Sequence, residues 1–217
     1  NNISTWTDND TSTGASTQTT FSSQETFRFL AGGTAGHDAK RTRDLGTLAD
    51  NFTIEMRTYF DALNTVASGD YAEMNVYNGV VLFKVRWSDD GLEVFNGSAW
   101  IEVGVDIVAE DAFAVWKFFI TGASASTARV EVMKDSNYVG LGFSIANADA
   151  TNDGQIDLFG KAGGSGTATD WYLDYLYINS SNAVTEYFTD GDFGDWGSAN
   201  DPTSPTEHAA AGQPLVH

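Results

Sequence analysis

Apolar side chains recur at every second position in several separate stretches of this 217-residue chain. Side chains of a β-strand point alternately to its two faces, so a period of two places the apolar members on one face, where they can line a core. No segment carries a sustained period of 3.6 residues with the capping signals of a helix. The pattern therefore predicts an all-β fold, and it is clearest in residues 52–60, 81–87, 116–120, 130–132 and 171–177. The side chains that it predicts to be buried are Phe52, Ile54, Trp116, Phe118, Val130, Val132, Leu173 and Tyr175.

Turn signals separate these stretches, and the two ends of the chain differ from the middle. Pairs such as Asn78-Gly79 and Asp90-Gly91 are typical of tight turns between strands. Residues 1–20 are rich in Ser, Thr, Asn and Asp, and residues 189–217 hold all 3 prolines and no Lys or Arg. We therefore predict an N-terminal arm (1–20), a jelly-roll sandwich domain (21–188) and an extended C-terminal tail (189–217).

Four short runs follow one another with a familiar order and spacing: Asn51–Arg57, Trp116–Ile120, Ala128–Asp135 and Tyr172–Ile178. They resemble strands of laminin G-like and other concanavalin A-like domains. The resemblance implies a two-sheet antiparallel β-sandwich, a jelly roll, often with a calcium ion near one rim and often with a glycan- or protein-binding role. It does not define the function, because the same fold hosts lectins, glucanases, polysaccharide lyases, adhesins and virion proteins.

The charge balance limits the partners that we expect. Acidic residues number 30 and basic residues 11, for a formal net charge of −19. A field of that sign repels nucleic acid and anionic membranes, and no run of about 20 apolar residues could span a bilayer. We therefore expect neither nucleic-acid binding nor membrane insertion. Together with the resemblance, the composition favours a protein that works outside the cell, on a cell surface or in a virion.

Side-chain patterns typical of catalysis are missing from the sequence. The glucanases of the resembled fold carry a Glu-x-Asp-x-Glu strand, and the nearest pattern here is Asp170, Tyr172 and Asp174. A lyase of this fold would need cationic or amide groups together with a tyrosine or histidine. The chain has 3 histidines and no cysteine, and only His37 lies near basic residues such as Lys40. We therefore predict no catalytic residues and no enzymatic activity.

The stretch from Asp149 to Asp157 resembles a calcium-binding loop. Asp149, Asp153 and Asp157 would supply hard oxygen ligands, and the carbonyl of Gln155 would supply another. The bidentate glutamate expected at the twelfth position of such a loop is Gly160 here. A plain turn between strands is the alternative, and Ca²⁺ is the one cofactor that we expect.

An aromatic residue is predicted on a polar face of the hairpin formed by residues 91–103. Whether the loop at Asn96-Gly97 has two residues or four, alternation places Trp100 on the same face as Phe95 and Glu93. A ring in that setting suits stacking against a sugar. The same ring could instead be covered by the N-terminal arm or buried against a partner.

Our leading hypothesis is a non-catalytic extracellular surface protein, either a structural subunit or an adhesion module of a virion, appendage or surface assembly, with glycan-binding ancestry. Its partners would be copies of itself or other assembly proteins, with Trp6, Trp196 and Leu215 as anchors. One alternative is a free lectin-like carbohydrate-binding module. Another is a glycoside hydrolase or a polysaccharide lyase.

Overall fold

The computed structural model describes residues 6–46, 48–105, 107–123, 127–146, 154–164, 166, 168–179 and 184–187. This part of the chain holds 15 β-strands, one 3₁₀ turn at Val66–Ser68 and no α-helix. No helix within it has the length and hydropathy to cross a membrane. In chain order the strands are β1 (Thr7–Asp8), β2 (Ala15–Phe21), β3 (Gln24–Leu30), β4 (Ala39–Asp44), β5 (Phe52–Ala62), β6 (Ala72–Tyr77), β7 (Leu82–Ser88), β8 (Gly91–Phe95), β9 (Trp100–Val105), β10 (Phe113–Thr121), β11 (Ala128–Lys134), β12 (Asn137–Ile145), β13 (Gln155–Gly160), β14 (Asp170–Asn179) and β15 (Val184–Tyr187).

Two antiparallel sheets contain all of these strands. The seven-stranded sheet runs β1-β4-β13-β6-β7-β8-β9, and the eight-stranded sheet runs β12-β11-β10-β5-β14-β3-β2 with β15 paired to β14. Neighbours such as β13 and β6, or β14 and β5, lie far apart in sequence, as expected for a jelly roll. The predicted all-β, two-sheet antiparallel sandwich is confirmed.

Large apolar side chains from the facing sides of the two sheets fill the space between them. Trp87 of the seven-stranded sheet contacts Trp116 and Phe118 of the eight-stranded sheet, with ring centroids 6.1 and 6.0 Å apart. All eight residues predicted to be buried are at most 4% exposed. The period of two in the sequence therefore identifies the buried positions correctly.

One of these eight residues, Tyr175, is buried on the outer face of its sheet and not in the core. Strand β14 carries an irregularity between Leu173 and Tyr175, where its register against β5 shifts by one residue. A bulge of this kind inserts one extra residue and exchanges the two faces beyond it. Leu176 and Ile178 consequently take the core positions, while the Tyr175 hydroxyl donates to Glu55 Oε1 at 2.9 Å on the outer face. The plain alternation assumed for residues 171–177 was wrong beyond Leu173.

The N-terminal segment is part of the sandwich wherever the structure describes it. Strand β2 pairs with β3 along seven residues, β1 pairs with β4, and Trp6 is 5% exposed in the core of its own chain. The prediction of a separate arm at residues 1–20 is therefore corrected for residues 6–20. An edge strand buries little surface, which is why the polar composition of β2 resembled that of an arm. The predicted tail at 189–217 lies outside the described residues.

Candidate functional site

Period-two alternation leaves one set of side chains on the outer side of the seven-stranded sheet. Core residues such as Met74, Val85 and Val94 point inward, so the residues between them in each strand point away from the core. The pairing register then aligns the outward residues of neighbouring strands. We call this surface the polar face, formed by Lys40, Tyr71, Glu73, Asn75, Lys84, Arg86, Glu93, Phe95, Trp100, Glu102, Asp157 and Phe159.

The aromatic end of the polar face lies on the β8–β9 hairpin. Phe95 and Trp100 occupy paired positions, and their ring centroids are 5.3 Å apart. Glu93 lies on the same face, as the alternation predicts, and its Oε2 accepts a hydrogen bond from Arg86 Nε at 2.6 Å. The three residues predicted as a carbohydrate site are thus on one surface. Coverage of Trp100 by the N-terminal strand is excluded, because β1 and β9 lie at opposite edges of the sheet.

Two cations of β7 complete this end of the face. The Arg86 guanidinium carbon lies 4.1 Å from the centroid of the Trp100 ring, and the Lys84 ammonium lies 5.4 Å from it. Such cation–π contacts contribute about 0.5–2 kcal/mol each. Both cations therefore lie close to the indole, which is itself partly exposed. Sequence reasoning recognised the alternation of β7 but missed both residues, because their role depends on the pairing of β7 with β8.

Buried polar side chains form the middle of the polar face. Glu73, Asn75 and Asp157 are almost inaccessible, although they lie on the outer side of the sheet. Long side chains on adjacent strands cover them, as when Lys40 Nζ contacts Asp157 Oδ2 at 3.0 Å. Glu73 Oε1 accepts from Asn75 Nδ2 at 2.8 Å and lies 3.9 Å from Lys84 Nζ. Burying a charge is costly unless it is paired, and each of these acids has a partner.

Asn75 combines deep burial with an unsatisfied oxygen. The side chain is 4% exposed, and no donor within the described residues reaches its Oδ1. The amide orientation is determined by Glu73, since Nδ2 is the atom that can donate to a carboxylate. Buried acceptors in folded proteins are nearly always hydrogen-bonded. The oxygen is therefore an unmet hydrogen-bond acceptor, buried on the outer side of the sheet.

The predicted calcium ligands divide between described and undescribed parts of the chain. Asp149 and Asp153 lie outside the described residues. Gln155 and Asp157 belong to β13 itself, and Asp157 Oδ1 accepts from Gln155 Nε2 at 2.8 Å while Oδ2 contacts Lys40. A calcium ion bound by Asp157 would compete with that lysine. The calcium site stays a prediction.

Tyr71 lies on the polar face and is a residue type that can take part in proton transfer. The Arg86 guanidinium carbon lies 5.3 Å from its ring centroid. Burial raises the pKa of Tyr71, and the charge of Glu73 adds to that effect. The phenol therefore keeps its proton at neutral pH. Lys161 and Arg86 act in the opposite direction on this pKa, and the protonated phenol can donate a hydrogen bond.

Other residues considered for catalysis lie in structural contacts. His37 Nδ1 lies 2.7 Å from Thr13 Oγ1 in a loop at the end of the sandwich. Asp170 and Asp174 belong to the other sheet, where they pair with Arg28 and Arg57 across strands. The bulge in β14 also separates them, so they do not form a ladder of acids. Within the described residues, no group of three or more His, Asp or Glu side chains could hold a metal ion.

Comparison with known proteins identifies the fold. No family model matches the chain and no curated protein matches it. The endo-β-1,4-glucuronan lyase of the fungus Trichoderma reesei superposes with a TM-score of 0.59 at 11% identity, covering 82% of this chain and 92% of that one. A carbohydrate esterase of the Shiga toxin-encoding bacteriophage phi24B gives 0.57 at 12%, covering 82% and 91%. The cellulose-induced protein Cip1 gives 0.56 at 10%, covering 82% and 92%. At these identities the likeness concerns the fold alone, and the chain has a two-sheet jelly-roll fold.

Proposed function

We propose that this chain is a non-catalytic glycan-binding module of an extracellular or virion surface, and that its binding site is the polar face. One observation carries the proposal: Trp100 and Phe95 lie beside polar groups that are buried on the outer side of a sheet. A sugar presents apolar C–H faces and a rim of hydroxyls. Aromatic rings suit the first, and amides and charged groups suit the second.

The solved structures with the same fold support a carbohydrate-related ancestry. Their names describe a glucuronan lyase, a carbohydrate esterase and a cellulose-induced protein. The fold alone does not assign a function. The site on this chain is therefore argued from its own residues.

The chemistry of the polar face favours binding over cleavage. Glycoside hydrolysis needs two carboxylates that flank the scissile bond, one of them able to give up a proton. On the polar face Asp157 is paired with Lys40 and Glu93 with Arg86. A lyase needs a base, and the raised pKa of Tyr71 opposes that role.

The assembly hypothesis now depends on the C-terminal tail. Trp6 packs into the core of its own chain, so it cannot also anchor a neighbour. Trp196 and Leu215 lie outside the described residues. Among the described residues, the only large apolar side chains that are more than about one-third exposed are Val80 and Tyr138. A self-assembling subunit therefore remains a second proposal, which rests on residues 189–217.

The glycan proposal can be tested with an array of neutral and acidic oligosaccharides, followed by calorimetry on each glycan that binds. Trp100→Ala should weaken binding about tenfold or more, which corresponds to about 1.4 kcal/mol. Tyr138→Ala is the matched control, because this ring is 56% exposed on the other sheet. Equal loss in both variants would contradict the proposed site. Release of reducing ends or of unsaturated uronates by the pure protein would contradict the absence of catalysis.

A further inference from the structure

Asn75 and Lys84 form a cross-strand pair in the middle of the polar face. They occupy directly paired positions of β6 and β7. Side chains at such positions have Cβ atoms about 4.5–5.5 Å apart, so one small group can contact both. Asn75 offers its unsatisfied Oδ1, while its Nδ2 is committed to Glu73.

Lys84 is a hydrogen-bond donor, whereas Asn75 Oδ1 is an acceptor. Its ammonium lies 3.9 Å from Glu73 Oε1, which is an ion-pair contact but too long for a hydrogen bond. The ammonium also lies 5.7 Å from the ring centroid of Phe95 and 5.4 Å from that of Trp100. Within the described part of the chain, no acceptor lies within hydrogen-bond distance of this ammonium. The pair therefore presents one acceptor and one donor side by side, next to the aromatic end of the face.

A hydroxyl satisfies both atoms at once, because it donates one hydrogen bond and accepts others. A carboxylate could accept from Lys84, but it has no proton to donate to Asn75 Oδ1. Reversing the Asn75 amide would not help, because its oxygen would then face the Glu73 carboxylate. The charges point the same way: Glu73 already neutralises Lys84, and a second anion would enter a chain of net charge −19.

Building on the proposed function, we infer that Asn75 and Lys84 together bind the C6 hydroxyl of a sugar beside Trp100, and that the site selects neutral glycans over uronates, in which C6 carries a carboxylate instead. Trp100 then supplies affinity for the apolar face of the sugar. The pair supplies the selection, since an unmet buried acceptor disfavours any ligand that cannot donate to it.

The experiment uses matched tetrasaccharides that differ only at C6. Cellotetraose is compared with the β-1,4-linked tetramer of glucuronic acid, and mannotetraose with the β-1,4-linked tetramer of mannuronic acid. Affinities are measured by calorimetry for the wild-type chain and for Asn75→Leu, Lys84→Met, Trp100→Ala and Tyr138→Ala. Leucine keeps the volume of Asn75 without its polar atoms, and methionine keeps the stem of Lys84 without its charge. Melting temperatures check that each variant is folded.

We expect the neutral member of at least one pair to bind about tenfold or more tightly than its uronate. Asn75→Leu and Lys84→Met should each weaken the neutral sugar by about tenfold, and Tyr138→Ala should not. Tighter binding of the uronate would overturn the inference. The inference would also be overturned if only Trp100→Ala weakened binding of the neutral sugar. That outcome would leave the proposed function standing. If Asn75→Leu does not fold, Lys84→Met still decides the matter, because its side chain is partly exposed. Binding that Trp100→Ala does not affect, or no binding at all, would instead overturn the proposed function.

Discussion

Buried acids on the outer faces of both sheets contact a cation of a neighbouring strand. Arg57 Nη1 lies 2.6 Å from Asp174 Oδ2 in the eight-stranded sheet, and only 5% of the Asp174 side chain is exposed. Lys40 and Asp157 repeat the arrangement in the seven-stranded sheet. Removing one partner of such a pair leaves a desolvated charge, which costs more than the pair itself contributes. Single residues of this kind therefore contribute to stability even though they lie outside the core.

Replacing Arg57 by methionine should lower the free energy of unfolding by about 3 kcal/mol, because Asp174 would lose its cation. Urea unfolding monitored by tryptophan fluorescence measures the change. Arg129→Met is the matched control, since Arg129 lies 3.5 Å from Glu131 with 61% of its side chain exposed. Exposed pairs contribute little, and this change should stay within about 0.5 kcal/mol. Equal effects of the two substitutions would contradict the role of burial.

Because of Tyr175, we expect the folded protein to lose stability in alkaline solution. Burial, followed by the charge of Glu55, raises the pKa of Tyr175 well above the ordinary value near 10. The unfolded chain releases this proton near pH 10 while the folded chain retains it. The contribution is therefore fully present below pH 10 and is lost as the pH rises further.

Unfolding measured from pH 8 to pH 11 should separate wild type from Tyr175→Phe. Above pH 10 the wild type should lose stability more steeply, by up to about 1.4 kcal/mol per pH unit. At pH 8 the variant should be about 1 kcal/mol less stable, because it lacks the hydrogen bond to Glu55. Parallel curves for Tyr175→Phe and wild type would show that the phenol titrates alike in both states.

Individual strands differ in how much of their structure the sequence predicts. Strands β5 and β10 alternate without interruption, so the burial of Ile54 and Phe118 follows from the pattern alone. Strand β14 does not, because the bulge beside Asp174 adds a residue that no periodicity reveals. Edge strand β2 was missed for a different reason, since its Ser- and Thr-rich sequence resembles a loop.

Truncations should separate the N-terminal strands from the C-terminal tail. A chain that starts at residue 22 loses β1, β2 and the buried Trp6, so it should precipitate or melt far below the full chain. A chain that ends at residue 187 should keep the melting temperature of the full chain. Light scattering on both the full chain and the 1–187 chain then tests the assembly proposal. A monomeric full chain would contradict it.

The calcium prediction for residues 149–157 can be tested by thermal melting. Calcium that binds only the folded chain should raise stability by about 1.4 kcal/mol at ten times its dissociation constant. Thermal melting in millimolar calcium measures this rise, and Asp153→Ala should abolish it. Asp89→Ala, at an exposed acid elsewhere, should not. If calcium does not change the melting temperature of the wild type, the loop is a plain turn.

At the scale of the whole molecule, the polar face is created by strands that lie far apart in the chain. Asn75 of β6 is paired with Asp157 of β13 on one side and with Lys84 of β7 on the other. The alternation predicts that each of these side chains points away from the core. It does not predict the order of the strands, so it cannot tell which outward residues become neighbours. Trp100, Phe95 and Glu93 could be grouped in advance because one short hairpin holds them.

The face also differs from the remainder of this acidic protein. Lys40, Lys84 and Arg86 lie there beside Glu73, Glu93, Glu102 and Asp157, so three cations nearly balance four acids. Elsewhere the chain carries a large excess of negative charge. Local balance together with aromatic rings suits an uncharged ligand more than a polyanion.

Nuclear magnetic resonance of the tryptophan indoles can show directly whether a glycan binds the polar face. The ¹⁵N-labelled chain, which contains 6 tryptophans, is titrated with cellotetraose and with mannotetraose. We expect that at least one sugar shifts the indole signal of Trp100 and the side-chain amide signal of Asn75, while the indole signals of the buried Trp87, Trp116 and Trp171 stay unchanged. Shifts confined to other residues, or no shift at millimolar sugar, would contradict the claim that the polar face binds glycans.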